Sequence, residues 1–263
     1  MALLPQWVIF HVPHDSTVVP EEVRNQFALS ESELADELIK MTDHHTLDLF
    51  THGIPQSRIV CAPVSRLVVD VERFAEDERE PMARKGMGVV YLKTANGTVL
   101  RHPISTEMRR AWLNTWYHPH HERLAVATQR ALDQFGQALL IDAHSFPSAP
   151  LPYEEDQRGD RPEICIGTDA FHTPKALELS LLRAFNDSGL TTRLNSPFAG
   201  AMVPMPHFRK DVRVSTVMVE VRRDLYICEA SGVPSPNFLP VAQQIRKCIG
   251  ETLKTVYHNG IPG

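Results

Sequence analysis

No apolar run in this chain approaches the roughly 18–20 residues that a bilayer-spanning helix needs, so membrane insertion has no sequence support. The first apolar residues stop at Pro5 with no basic segment before them, which reads against a signal peptide. Cysteine is scarce: Cys61, Cys165, Cys228 and Cys248 stand far apart and form no CxxC, which excludes a disulfide frame or a zinc knuckle and fits reduced thiols in the cytoplasm. Positive charge is not in excess, since 27 Lys+Arg against 32 Asp+Glu leave a net charge of −5. Nucleic acid and anionic membranes are therefore not expected partners. Several catalytic signatures are missing too: there is no HExxH helix, no GxSxG elbow, no GxxxxGK[ST] loop and no GxGxxG turn. Repeats, linkers and low-complexity segments are also lacking.

What is present is the composition of a globular α/β protein, with 43% hydrophobic and 22% charged residues over 263 positions. Histidine is the oddity, at 13 residues, several of them clustered. The stretch Ala138–Phe146 is an apolar run of strand character that ends in Asp142, His144 and Ser145 before a Pro/Ser loop. Such a run reads as a strand buried on both faces, and ligands sit at the carboxyl ends of strands of this kind. Trp7–Val12 is a second strand ending in polar residues, Pro13-His14-Asp15-Ser16. Ser215–Arg223 is a third, carrying Glu220 in a β-branched setting.

Between these strands the pattern alternates. A capping box at Ser30/Glu33 opens a helix expected to run through Asp43, His44, His45 and Asp48 to Gly53. Arg58–Ala62 and Leu67–Val71 read as strands, and Val89–Leu92 and Thr98–Leu100 as a hairpin about Asn96-Gly97. Ser105–Phe135 reads as two helices meeting at His118-Pro119. Residues 146–162, with four prolines, form a long loop over the strand ends. A short strand at Glu163–Asp169, a helix from Pro174 to Asn186 and a final amphipathic helix from Phe238 to Tyr257 complete the chain. The expectation is one domain spanning 1–263, a three-layer α/β sandwich with a mixed, mostly parallel sheet and helices on both faces.

Burying His14, His144 and Glu220 at strand ends without partners would cost several kcal/mol in total, roughly. A shared site is the simpler reading. Two histidines with one carboxylate are a usual ligand set for catalytic zinc, and a second carboxylate then serves as general base. Spacing alone leaves Asp43, Asp48 and Glu220 open for these two roles.

An ordered set of blocks narrows the choice: Pro13-His14-Asp15-Ser16, Thr42-Asp43, Ser65 to Arg73, His118-Pro119-His120-His121, Ile141 to Ser145, Asn195 to Gly200, and Glu220 to Tyr226. Together they resemble the N-formylglutamate amidohydrolase family, which is similar to zinc carboxypeptidases in sheet topology and site layout. The resemblance implies a phosphorylase/hydrolase-like fold and a cytoplasmic zinc amidohydrolase, a monomer or homodimer, that acts on a small N-acyl amino acid of the N-formyl-L-glutamate kind, in histidine degradation. It implies His14, Asp43 and His144 as ligands of one Zn2+ per chain. Glu220 becomes the general base, with Arg73, His118 and His121 in the catalytic set. Arg66, Arg73, Asp70, Ser145, Asn195 and Arg222 become the substrate-binding set. Two positions depart from the family pattern: Asp15-Ser16 stands for Ser-Gly, and Glu72 stands for Asn, a charge that would repel a substrate carboxylate unless Arg66 or Arg73 neutralises it. A peptide or peptidoglycan amidase, or a family member that binds an acyl amino acid without turnover, are the alternatives.

Overall fold

The computed structural model describes residues 4–257. Of the N-terminal apolar run, residues 1–3 lie outside the described range. In chain order the elements are β1 (Val8–Val12), α1 (Glu21–Arg24), α2 (Glu31–Met41), α3 (Thr46–Thr51), β2 (Ile59–Cys61), α4 (Thr106–Trp112), α5 (His118–Phe135), β3 (Ala138–Phe146), β4 (Ile164–Gly167), α6 (Lys175–Asp187), β5 (Thr192–Leu194), β6 (Val214–Arg222), β7 (Ile227–Cys228), β8 (Val233–Pro234) and α7 (Phe238–Tyr257).

Six strands form one sheet in the order β2-β1-β3-β6-β4-β5, with every pairing parallel except β4 against β6. All five residues of β1 and all nine of β3 are buried, as expected of strands covered on both faces. Helix α5 packs on β1, β2 and β3, while α3, α6 and α7 pack together and α3 meets β1 and β3. The expected mixed α/β sandwich is what the chain forms. β7 and β8 make a separate two-stranded ribbon.

Four local expectations change. The helix opened by the Ser30 capping box stops at Met41, because Thr42 takes an extended conformation. His45 then adopts a left-handed φ of 62° and starts α3. Asp43 and His44 thus sit in a break between two helices, not on one. Leu67–Val71 is not a strand. The Ser65 carbonyl accepts from Val68 and Val69 and the Ser65 hydroxyl from Leu67, which winds the segment into turns. Its apolar residues are buried all the same, Leu67, Val68 and Val69 in a second core with Phe27, Leu34, Tyr91, Leu100 and Trp112. The expected hairpin reduces to a turn at Asn96-Gly97 and one isolated bridge between Lys93 and Val99. Finally, the junction of α4 and α5 is not a break at His118-Pro119 but a π-helical stretch, Leu113–Tyr117, that joins them just before it. Pro119 has no N–H to give back along the helix, and the wider turn before it absorbs that loss.

Candidate active site

The register of β3 and β6 places His144 beside Glu220 and Asp142 beside Met218. Side chains two apart on a strand share a face, so Asp142, His144, Met218 and Glu220 point together toward the layer that holds α5. β1 ends alongside and delivers His14 to the same spot.

Each of the two histidines is held from behind by a carboxylate. His14 Nε2 lies 2.9 Å from Asp70 Oδ1. A carboxylate can only accept, so Nε2 donates, and Nδ1 is the nitrogen turned toward Asp43 and Glu72. Nδ1 is buried and finds no hydrogen-bond partner among the described residues. Asp70 is fully buried. Its other oxygen accepts from Arg66 Nη2 at 2.8 Å and Nε at 3.2 Å and from the Tyr91 hydroxyl. Burial disfavours the Asp70 charge, but Arg66 and His14 outweigh burial and hold its pKa well below the carboxylate range.

His144 repeats the arrangement. Its Nδ1 lies 3.1 Å from Asp43 Oδ2, and Asp43 Oδ1 accepts from Arg223 Nη2 at 2.8 Å. The opposite nitrogen, Nε2, faces Glu72 Oε2 at 3.2 Å and Asp142 Oδ1 at 3.1 Å. A nitrogen placed between two carboxylates favours a second proton on the ring or a cation beside it. Burial opposes that proton, but Glu72 and Asp142 overcome burial and raise the His144 pKa well above its ordinary value. The local field therefore calls for positive charge between these groups.

His14, Glu72 and His144 bring one ligand atom each within 4.8 Å of one another. Two imidazoles whose far nitrogens are tied to carboxylates, with a glutamate between them, are the chemistry of a zinc-type site and its outer shell. The unpartnered Nδ1 of His14 is the orphan such an ion would satisfy, so the residues fit a divalent cation. His11, Glu72 and Asp142 come equally close, but His11 is already engaged at both nitrogens, by Asp142 Oδ1 at 2.7 Å and His120 Nε2 at 2.8 Å.

Glu220 lies across from this set. It is buried, and its Oε2 is unpartnered among the described residues. Burial raises its pKa to about 7 against the pull of His144, the range in which a carboxylate exchanges protons at neutral pH.

A cavity of about 690 Å³ opens onto these groups and is lined by Glu72, Arg73, His121, His144, Ser145 and Glu220 among others. Arg73 is held loosely: its contacts to Asp70 and Glu80 are 3.8 Å, and its buried Nε has no partner among the described residues. His121 packs against the Tyr117 ring at a tilt, and burial together with His11 pushes its pKa down to about 4. Ser145 Oγ accepts from Arg223 Nε at 3.2 Å. A second groove of about 580 Å³, bounded by Gln56, Arg123 and Arg130, holds none of this machinery.

Of the residues singled out in the sequence, the structure brings together His14, Asp43, Arg66, Asp70, Arg73, His121, His144, Ser145 and Glu220. Their places differ from the expected ones in three respects. Asp43, bound to Arg223, reaches both histidines, at 3.1 Å from His144 Nδ1 and 3.7 Å from His14 Nδ1, and Glu72, at 3.2 Å from His144 Nε2 and 3.8 Å from His14 Nδ1, joins it there as a second carboxylate. Arg66 is committed to Asp70, and Asp70 lies beneath His14 with no exposed surface. His118, Asn195 and Arg222 do not line the cavity: His118 is exposed, Asn195 bonds Thr168, and Arg222 pairs with Asp224 and the Arg161 carbonyl. Asp48 is exposed on α3. Sequence reasoning overlooked Arg223, Tyr91 and the His11–His120 pair, and it read Glu72 only as a misfit.

A model of the N-formylglutamate amidohydrolase family matches residues 7–227. The chain is 27% identical over 229 residues to an N-formylglutamate deformylase of Pseudomonas putida, covering 84% of this chain and 82% of that protein. It is 28% identical to one from Pseudomonas aeruginosa, covering 75% and 74%. Among solved structures it resembles an N-formylglutamate amidohydrolase of Ralstonia eutropha, with TM-score 0.81, 19% identity and 98% of both chains covered. A gene product of Agrobacterium tumefaciens aligns with TM-score 0.68 at 20% identity, over 96% of this chain and 92% of that one. On the family match over most of its length, this chain belongs to the N-formylglutamate amidohydrolase family.

Proposed function

We propose that this protein is a metal-dependent amidohydrolase that cleaves the amide of a small N-acyl amino acid, with N-formyl-L-glutamate the substrate suggested by its relatives' names. The observation that carries the reading is the pairing at the sheet's centre: two carboxylate-backed histidines beside Glu72, and an unpartnered Glu220 at the same level on the next strand.

His14 Nδ1, Glu72 and His144 Nε2 would hold the ion, zinc by the chemistry of the donors. When bound, it supplies positive charge that polarises the amide carbonyl and lowers the pKa of water. The rest falls to the chain. Arg73 offers a planar guanidinium with free donors to a substrate carboxylate, and a bidentate contact there fixes the amide beside Glu220. Arg223 and the Asp43 it holds keep His144 in one orientation. Glu220 takes a proton from water as the water oxygen bonds to the carbonyl carbon. It then hands that proton to the departing nitrogen as the C–N bond breaks, leaving a carboxylic acid and a free amino acid. His121, neutral near pH 7, lines the wall without adding charge.

The test is release of formate and glutamate from N-formyl-L-glutamate by protein loaded with zinc. The reading requires that chelation removes the activity and that Glu220→Gln removes it without removing the metal. Turnover that survives both would refute it.

A further inference from the structure

Every fourth residue around the start of α5 is buried: Trp116 from the π-helical stretch, then His120, Leu124 and Thr128. An imidazole in such a stripe is costly to bury unless its nitrogens find partners. His118 and Pro119 beside it are exposed, whereas His120 has no exposed surface. The ring it meets, His11 on β1, is just as deeply buried. Neither ring lines the cavity.

The two rings form a strut that ends on Asp142. His11 stands on β1 directly beside Asp142 on β3. His120 Nε2 and His11 Nε2 are 2.8 Å apart, and His11 Nδ1 lies 2.7 Å from Asp142 Oδ1. The carboxylate only accepts, so His11 donates from Nδ1, and the two Nε2 atoms share one proton. Asp142 Oδ2 accepts from Met202 N at 2.8 Å. Both carboxylate oxygens are thus fixed, and Oδ1 lies 3.1 Å from His144 Nε2, the nitrogen that would hold the ion. Asp142 is 1% exposed, so water screens its charge little. A negative charge at that place favours a cation on His144.

We propose that His120 is a positioning residue of the metal centre: through His11 it holds the Asp142 carboxylate on the ion's side of His144, and so raises the affinity for the ion. The proposal rests on the metal-site reading above and deepens it. Without a donor or acceptor at the place of His120 Nε2, His11 is held at one end only, and its buried Nε2 loses its partner. Outer-shell partners of metal ligands are worth about 10–100-fold in affinity. His120 acts one link further out, so the low end of that range is expected.

The experiment reads zinc affinity by chelator competition on the purified protein, with Tm measured alongside. His120→Phe keeps a buried ring without nitrogen, and its Kd for zinc is expected to rise about tenfold. His120→Gln puts an amide near the place of Nε2 and is expected to restore affinity close to that of wild type. His120→Asn, whose shorter amide stops short of His11, is expected to follow the phenylalanine variant, and it replaces that variant should the latter not fold. Asp142→Asn removes the charge itself and is expected to raise the zinc Kd about tenfold. Adding the His120 substitution to it is expected to change Kd little further, because both act through one carboxylate. Wild-type affinity in the Phe and Asn variants, a loss in His120→Gln equal to theirs, or full additivity with Asp142→Asn overturns this inference alone. Absence of zinc binding by the wild-type protein overturns the metal-site reading on which it rests.

Discussion

Asp70 accepts a hydrogen bond from His14 at 2.9 Å while Arg66 and Tyr91 hold its other oxygen. One buried carboxylate thereby fixes which nitrogen of His14 faces Glu72. Asp70→Asn keeps the shape but can present its NH2 to His14 and leaves Arg66 without a counter-charge. Metal affinity, read by chelator competition, is expected to drop about 10–100-fold, as for other outer-shell carboxylates, with a lowered Tm. Unchanged affinity would mean that Asp70 serves the fold alone.

Glu72 and Asp43 are separable experimentally. Glu72→Gln removes a charged donor between the two histidines, whereas Asp43→Asn loosens His144 from behind. Metal content after dialysis is expected to fall below about one tenth of wild type in Glu72→Gln and in His144→Ala, and to fall less in Asp43→Asn. The reverse order would assign the third ligand to Asp43.

For Glu220 the sign of the pH effect follows from its raised pKa of about 7. The working form is the carboxylate, so kcat/KM is expected to lose about tenfold per pH unit below 7 and to level off above it. Glu220→Gln is expected to lower kcat by about 10²–10⁴-fold. Stability moves oppositely. A carboxylate whose folded pKa lies above its unfolded value costs stability once pH exceeds the unfolded value, and that cost is relieved as pH falls from 7 toward 4.5. The cost amounts to about 3 kcal/mol at pH 8. The Gln variant should therefore melt no lower than wild type at pH 8.

Arg73 is expected to set recognition of the substrate carboxylate. Lysine keeps the charge but not the planar pair of donors. Arg73→Lys is expected to raise KM about tenfold for acyl amino acids with free carboxylates and to change KM much less for their amides. Equal losses on both would show that Arg73 acts through packing.

How much of this was written in local sequence depends on the range of the forces involved. β1, β3 and β6 were legible because a strand buried on both faces needs an unbroken apolar run, and because a polar residue inside such a run stands out. The Ser30 capping box was legible because its partners are three residues apart. Family blocks in order marked where the site residues lie along the chain. The buried run Leu67–Val71 misled, because apolar residues over a second core look the same in sequence whether they are strand or turn.

The sequence by itself determined the fold class, the three strands that converge on the site, and His14, His144 and Glu220 as the polar groups that they bring to it. Tertiary structure alone decided that two carboxylates, Asp43 and Glu72, both reach the two histidines. In sequence the family blocks point to Asp43, and Glu72 stands out only as a departure from them. Their placement depends on the helix break at Thr42, the anchoring of Asp43 by Arg223 from the far end of the chain, and the hydrogen bond that the Glu72 N–H donates to Asp70. Those are contacts between residues 2 to 180 positions apart, and most of them no local pattern encodes.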